Sequence, residues 1–166
     1  RTNQSLNVQS WLKAGEIDVA VMQVFARDVG PDDVVLFEDS LHWVRAPDLA
    51  VDPNRSVPFL SFDSHCFYKQ WAFGEGQSGG HDFEIVLECP SAAGIRSAVR
   101  SGLGIALLNG MHVDNSLAII DGIFPPPPPI AFIARLGTKN RTPAVNALVQ
   151  EIAAEMQGDQ RLQAVG

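Results

Sequence analysis

The chain has 166 residues, of which 46% are hydrophobic and 19% are charged, a balance typical of a globular domain with a sizeable core. It carries 12 Lys and Arg against 19 Asp and Glu, a formal net charge of −7. It therefore lacks the basic surface that phosphate neutralisation requires, and we do not expect it to bind DNA unaided. Its uncharged apolar runs fall well short of the ~20 residues that a membrane-spanning helix needs.

The ends and the cysteines of the sequence bear on its cellular context. Because the chain opens on Arg1 without a secretory leader, we expect it to lie inside a longer product. Its two cysteines are too few for a disulfide framework in a domain of this length, which favours a reducing compartment. We therefore predict a cytoplasmic protein that has no contact with a membrane.

The first part of the chain alternates a predicted helix with predicted strands. The helix begins after Ser5, its predicted cap, and ends at Gly15, and a strand over residues 16–21 follows at once, as in α/β proteins. Residues 34–44 form a long extended segment with one polar interruption. Its length indicates a strand that leaves one structural body for another.

The middle of the chain predicts a loop, a strand and a helix. A surface loop over residues 47–57 leads into a short buried strand over residues 58–62. We predict that the next helix begins at Asp63 and Ser64, carries Cys66, and ends in a glycine-rich turn.

A second β-α-β unit follows. We predict a strand over residues 83–88, a helix opened by Pro90 and Ser91 and closed by Gly102, and a strand over residues 105–108.

The last part of the chain begins with five consecutive prolines, residues 125–129, which must be extended. A strand over residues 130–136 follows, and Thr142 with Pro143 predicts the start of a final helix. The apolar residues predicted to share one face of this helix are Val145, Leu148, Val149, Ile152 and Met156.

Repeated βα units with short connections predict an α/β fold with mostly parallel strands. The two extended segments divide the chain into two subdomains. Subdomain I is discontinuous and comprises residues 1–43 and 127–166, whereas subdomain II is inserted and comprises residues 44–126.

Four segments, taken in order, carry a resemblance to a known family. They are residues 5–12, residues 15–20 with the sequence GEIDVA, residues 37–41 with FEDSL, and residues 99–108 with VRSGLGIALL. Each motif alone is degenerate, but their order and separation are difficult to obtain by chance. Over nearly its whole length the chain resembles the effector-binding domain of LysR-type transcriptional regulators.

The resemblance implies two Rossmann-like subdomains, as in type 2 periplasmic binding proteins, joined by two crossing strands. A small-molecule effector would bind in the cleft between them, and an anionic effector suits a site to which helix N-termini contribute N–H donors. The resemblance also implies that the first βα unit and a helix-turn-helix domain precede Arg1, and that DNA is bound only through that helix-turn-helix. It implies no cofactor.

The family also pairs side by side, so the resemblance implies a homodimer or homotetramer. The helix carrying Trp11 and the helix over residues 91–100 are the candidate contact surfaces.

Carried over residue by residue, the resemblance predicts that eight residues contact the effector. They are Ser5, Phe62, Asp63, Ser64, Pro90, Ser91, Leu108 and Asn109. A structural interpretation competes with each: the serines and Asp63 stand where helix caps are expected, and Asn109, at a position where the family usually has proline, suits a turn.

No other motif supports a different chemistry. The sequence has no GxxxxGK[ST] or G-x-S-x-G segment, and its histidines and cysteines lack the spacing of a metal site. We therefore predict no catalytic residue and no metal. Two alternatives remain: a solute-binding protein of a transporter with the same fold, and an enzyme that uses Cys66, Cys89 or Asp63. An upstream helix-turn-helix would favour the regulator, whereas a leader would favour transport.

Overall fold

The computed structural model describes residues 3–137 and 142–163. Contacts divide the chain into two compact units, Arg1–Asp39 with Pro129–Gly166 (unit 1) and Ser40–Pro128 (unit 2). This division falls after residues 39 and 128. The subdomain bounds after residues 43 and 126 remain a prediction.

Within the described residues the structure contains four α-helices and eight strands. In chain order they are α1 (Ser5–Ala14), β1 (Val19–Phe25), β2 (Val34–Asp39), β3 (Leu41–Arg45), β4 (Val57–Ser61), α2 (Phe67–Phe73), β5 (Phe83–Glu88), α3 (Ala92–Arg100), β6 (Ile105–Asn109), β7 (Ala118–Ile119), β8 (Ile130–Leu136) and α4 (Pro143–Gln163). The predicted strands over residues 83–88 and 130–136 are confirmed. None of these helices combines the length and the apolar character needed to cross a membrane.

Unit 1 is a three-stranded sheet covered by a helix on each face. Its strand order is β1-β8-β2, and both pairings are antiparallel. Successive strand residues point to opposite faces, so Ile133 packs with Val8 and Leu12 of α1, whereas Ala134 packs with Val149 and neighbouring residues of α4.

The boundary between α1 and β1 differs from the prediction. The helix ends where predicted, at Gly15, whose φ is 74°, but the amide of Glu16 donates to the carbonyl of Trp11 at 2.9 Å and so closes the helix. β1 begins only at Val19, opposite Leu136 at the end of β8. The predicted strand over residues 16–21 is therefore displaced toward Phe25.

α4 begins as predicted, since the Thr142 hydroxyl accepts a hydrogen bond from the Val145 amide at 3.3 Å. Val149 is buried, but the neighbouring Leu148 is 50% exposed. Leu148, predicted to share one face of this helix with Val149, is therefore not buried on the face that packs on β2.

Unit 2 is a five-stranded sheet in the order β5-β4-β6-β3-β7. β4 pairs parallel with both β5 and β6, whereas β3 pairs antiparallel with β6 and β7. The prediction of mostly parallel strands is therefore wrong for the described pairings. Only the connections through α2 and α3 give parallel neighbours, because a helical crossover carries the chain back to the end of the sheet at which the previous strand began.

Two cores cover the faces of this sheet. Val44 packs with Leu60, Ile95 and Val99 under α3, and the preceding residue, Trp43, is 1% exposed on the other face.

Gly104 allows β4 and β6 to approach closely. A Cβ at this position would lie 2.5 Å from the carbonyl oxygen of Pro58, a backbone atom that cannot move cheaply. We expect Gly104→Ala to lower the free energy of unfolding by about 2–3 kcal/mol through overpacking.

Gly102→Ala is the matched control, because its φ of 75° strains an alanine but nothing lies within 4 Å; we expect it to cost about 1 kcal/mol. Urea titration of both variants, followed by circular dichroism, measures the difference. A smaller loss for Gly104→Ala than for Gly102→Ala would contradict the steric argument.

Candidate functional site

The candidate site of unit 2 is the edge of the sheet at which three neighbouring parallel strands end. β5, β4 and β6 run in the same direction, so their carboxyl ends meet at this edge. The ends of β4 and β5 are held side by side, because the Cys89 amide donates a hydrogen bond to the carbonyl of Ser61 at 2.9 Å. Seven of the eight predicted contact residues lie at this edge: Phe62, Asp63 and Ser64 after β4, Pro90 and Ser91 after β5, and Leu108 and Asn109 at the end of β6.

The turn after β4 differs from the prediction of a helix that begins at Asp63 and Ser64. The Asp63 carboxylate accepts a hydrogen bond from the His65 amide at 2.9 Å, and its carbonyl accepts one from the Cys66 amide at 3.1 Å. These local bonds compete with helix formation, so α2 begins only at Phe67. The Ser64 side chain is left exposed, with its hydroxyl 3.3 Å from Nδ1 of His65.

Phe62 contributes an apolar wall to the same turn. Its side chain is half-buried, and its ring packs edge-on against Tyr68, with 6.3 Å between the ring centroids. The buried Ser61 hydroxyl donates to the carbonyl of Phe62 at 2.6 Å and so fixes the end of the strand.

The N-terminus of α3 forms the second side of the edge. Ser91 is its N-cap, and the hydroxyl accepts a hydrogen bond from the Gly94 amide at 3.4 Å, which confirms the predicted cap. A Cβ at Gly94 would lie 2.5 Å from Sγ of Cys89. The absence of a side chain at Gly94 therefore lets β5 end directly beneath the first turn of α3.

β6 supplies a buried polar group. Asn109 is 3% exposed, and its Oδ1 has no hydrogen-bond partner among the described residues. The interpretation of Asn109 as a turn residue is wrong, because the residue is extended and pairs with Leu41 as the last residue of β6. Leu108 is fully buried beneath α3, so only its main chain is available at the edge.

An ion pair and a buried thiol lie beside this edge. Lys69 of α2 forms an ion pair with Glu88 at the end of β5. The sequence carried no local signal for this pair, since 19 residues separate its members.

Burial raises the pKa of the Cys66 thiol to about 11, so the thiol is protonated at neutral pH and is a poor nucleophile. No group of His, Cys, Asp and Glu side chains suited to a metal ion occurs in the described part of the chain.

Ser5 belongs to unit 1 and has a different environment from the one expected. It is the first residue of α1, and the extended residue Gln4 is the N-cap. The interpretation of Ser5 as the cap is therefore wrong. Its hydroxyl instead accepts a hydrogen bond from the Gln23 amide at 3.2 Å and ties α1 to β1. A contact between Ser5 and the effector stays a prediction.

The sequence is similar to that of known transcriptional regulators. The family model of the LysR substrate binding domain matches residues 1–157. The HTH-type transcriptional regulator DgdR of Burkholderia cepacia is 24% identical over 145 residues, which cover 86% of this chain and 49% of DgdR. The chain thus spans about half the length of that relative.

Two regulatory-domain structures share the fold. The apo regulatory domain of HypT from Salmonella typhimurium has a TM-score of 0.71 and 14% identity, with 95% of this chain and 81% of that chain covered. The CcmR regulatory domain of Synechocystis PCC6803, solved in complex with 2-PG, has a TM-score of 0.69 and 15% identity, with coverage of 93% and 80%. These likenesses confirm the predicted periplasmic-binding-protein-like α/β fold. Since the family model extends over residues 1–157, the chain belongs to the LysR substrate-binding domain family.

Proposed function

We infer that this effector-binding regulatory domain holds its ligand at the carboxyl edge of β4, β5 and β6, and that the ligand is a small anion. The observation that carries this proposal is the buried Oδ1 of Asn109, which has no partner among the described residues. A buried acceptor without a donor costs about 1–3 kcal/mol, and a ligand that donates a hydrogen bond there would recover that cost.

The N-terminus of α3 supports an anionic ligand. The amides of the first turn and the helix dipole favour negative charge, and the exposed hydroxyls of Ser64 and Ser91 lie at the same edge. Together with the acceptor on Asn109, these groups favour a small acid that also carries a hydroxyl or amine. Pro90 and Phe62 would contact its apolar part.

The same proposal covers the rest of the protein. DgdR is described as an HTH-type transcriptional regulator, and we infer that a helix-turn-helix domain outside this chain binds DNA in a cytoplasmic homodimer or homotetramer. α1, which carries Trp11, and α3 are the candidate surfaces for that assembly. We infer a regulatory rather than an enzymatic role, and the protonated Cys66 supports it.

Screening a panel of small hydroxy and amino acids by thermal shift tests the proposal, because a ligand that binds only the folded state raises its stability. For an acid that stabilises the chain, we expect Ser64→Ala to weaken binding about tenfold, the loss of one hydrogen bond to a charged group.

Ser97→Ala is the matched control, since Ser97 is an exposed serine of α3 that lies six residues, nearly two helical turns, beyond the cap Ser91; this variant should bind the acid with unchanged affinity. Equal affinities of Ser64→Ala and the parent chain, measured by isothermal titration calorimetry, would contradict the assignment of this edge.

A further inference from the structure

A cavity of about 250 Å³ opens at the opposite edge of the same sheet, where β4 and β6 begin. Leu49, Val51, Val57, Pro58 and Ile105 supply its apolar walls. β4 has five residues, and at about 3.3 Å per residue it separates the cavity from the carboxyl edge by roughly 15 Å. The cavity is therefore distinct from the candidate effector site within unit 2.

One wall of the cavity is fixed by Arg45. Its Nη1 donates hydrogen bonds to the carbonyls of Ala46 at 3.0 Å, Pro47 at 2.6 Å and Leu49 at 3.0 Å. Nη1 has two N–H groups, which these three carbonyls share, and the contacts hold the loop before Leu49 against Arg45. The wall is thus formed before any ligand binds, which lowers the entropic cost of binding.

Two charged residues, Asp52 and Arg55, line the mouth of the cavity, and they differ in their hydrogen-bond partners. Asp52 is engaged in its own turn, because its Oδ1 accepts hydrogen bonds from the amide of Asn54 at 3.0 Å and from Nδ2 of Asn54 at 3.3 Å. Arg55 is exposed, and no carboxylate of the described residues forms an ion pair with it. Asp52 keeps its negative charge but is held in its own turn, so Arg55 is the cation of the cavity lining that a ligand can pair with.

The size of the cavity limits the ligand. Drug-sized ligands occupy pockets of about 300–1,000 Å³, so a cavity of about 250 Å³ suits a smaller molecule. We propose that this cavity is a second binding site, which takes a small monocarboxylate with a compact apolar body. The body packs against the partly exposed side chains of Leu49, Val51 and Pro58, and the carboxylate pairs with the planar donors of Arg55. The site goes beyond the proposed effector site and does not depend on it.

Cyclohexanecarboxylate is a suitable probe, and cyclohexanecarboxamide is its uncharged control. In ¹H–¹⁵N spectra of the whole 166-residue chain, we expect the carboxylate to shift the backbone amide resonances of Ile105 and of the residues over 49–57 other than Pro53. We expect cyclohexanecarboxamide to bind about tenfold more weakly than cyclohexanecarboxylate, since it lacks the charge-assisted hydrogen bonds.

Arg55→Gln should weaken binding of the carboxylate about tenfold for the same reason, whereas Arg100→Gln, the same change at an exposed arginine on the last turn of α3, should leave it unchanged. Ala50→Phe, which places a ring at the cavity lining, should abolish binding.

Equal affinity of Arg55→Gln and the parent chain would overturn the proposal. Shifts confined to Ser64, Ser91 and Asn109 would also overturn it, because the probe would then occupy the carboxyl edge. Neither result counts against the proposed function, because Arg55 lies outside the carboxyl edge and a probe bound at Ser64, Ser91 and Asn109 would occupy the proposed effector site itself.

Discussion

Trp43→Ala should lower the free energy of unfolding of unit 2 by about 3–5 kcal/mol, the cost of removing a buried aromatic side chain. Trp43 is 1% exposed, and four aromatic rings surround it at centroid distances between 5.0 and 6.1 Å. They belong to Phe59, Trp71, Phe83 and Phe124. These rings are contributed by distant parts of the sequence, so the cavity left by Trp43→Ala cannot close by a local shift.

Trp43→Phe separates packing from hydrogen bonding. Nε1 of Trp43 donates to the carbonyl of Pro125 at 2.9 Å, and phenylalanine retains most of the ring contacts but leaves this carbonyl without its donor. We expect a loss of about 1–3 kcal/mol for this variant. Urea unfolding followed by circular dichroism measures both changes.

Leu148→Ala is the control for the Trp43 variants, because Leu148 is 50% exposed and exposed substitutions usually change stability by less than about 0.5 kcal/mol. If Trp43→Ala and Leu148→Ala unfold at the same urea concentration, Trp43 is not the centre of this core.

Asp33→Asn should lower the free energy of unfolding of unit 1 about as much as Trp43→Ala lowers that of unit 2. The Asp33 side chain is 2% exposed, and Arg135 contacts both of its oxygens at 2.6 Å, while the Gly30 amide donates a third hydrogen bond at 2.7 Å. Removing one member of a buried pair leaves the other charge uncompensated, which costs about 3–5 kcal/mol. Asp48→Asn, at an exposed aspartate, measures the effect of surface charge alone.

The Asp33–Arg135 pair also predicts a dependence of stability on pH. Burial by itself raises the pKa of the Asp33 carboxyl, but the hydrogen bonds from Arg135 and Gly30 and the charge of Arg135 outweigh it, so this pKa lies below its ordinary value. A carboxyl whose pKa is lowered by folding stabilises the protein above its unfolded pKa of about 4. That stability is lost as the pH falls through the folded pKa.

The difference in unfolding free energy between the parent chain and Asp33→Asn should therefore be large at pH 7 and should shrink as the pH falls below about 4. Urea titrations across this range measure it. A difference that stays constant with pH would show that folding does not change the pKa of Asp33 and that the ion pair adds no stability.

Local patterns predicted the elements whose ends are set by neighbouring residues. β5 and β8 lie where apolar runs begin and end, and Ser91 caps α3 as its position before an amphipathic segment predicts. The start of α2 was wrong because Asp63 forms its own turn. That competition depends on side-chain geometry, which a hydrophobic pattern does not contain.

Strand direction and the buried polar groups could not be predicted from local patterns. Val35 pairs with Ile133 and Asp33 with Arg135, across about a hundred residues of sequence. At the candidate site, seven residues could be predicted from the sequence because they follow the ends of strands that are consecutive in the chain. The burial of Asn109 and its unpaired oxygen depend on how β6 packs, and only the structure contains that information.

The side-chain amide of Asn109 gives the most direct test of the proposed effector site. In ¹H–¹⁵N spectra recorded with an acid that stabilises the chain, we expect the NH₂ resonances of Asn109 to shift together with the backbone amides of Ser64 and Ser91. If those signals stay in place while the acid saturates the protein, the effector binds elsewhere and the carboxyl edge of unit 2 is not its site.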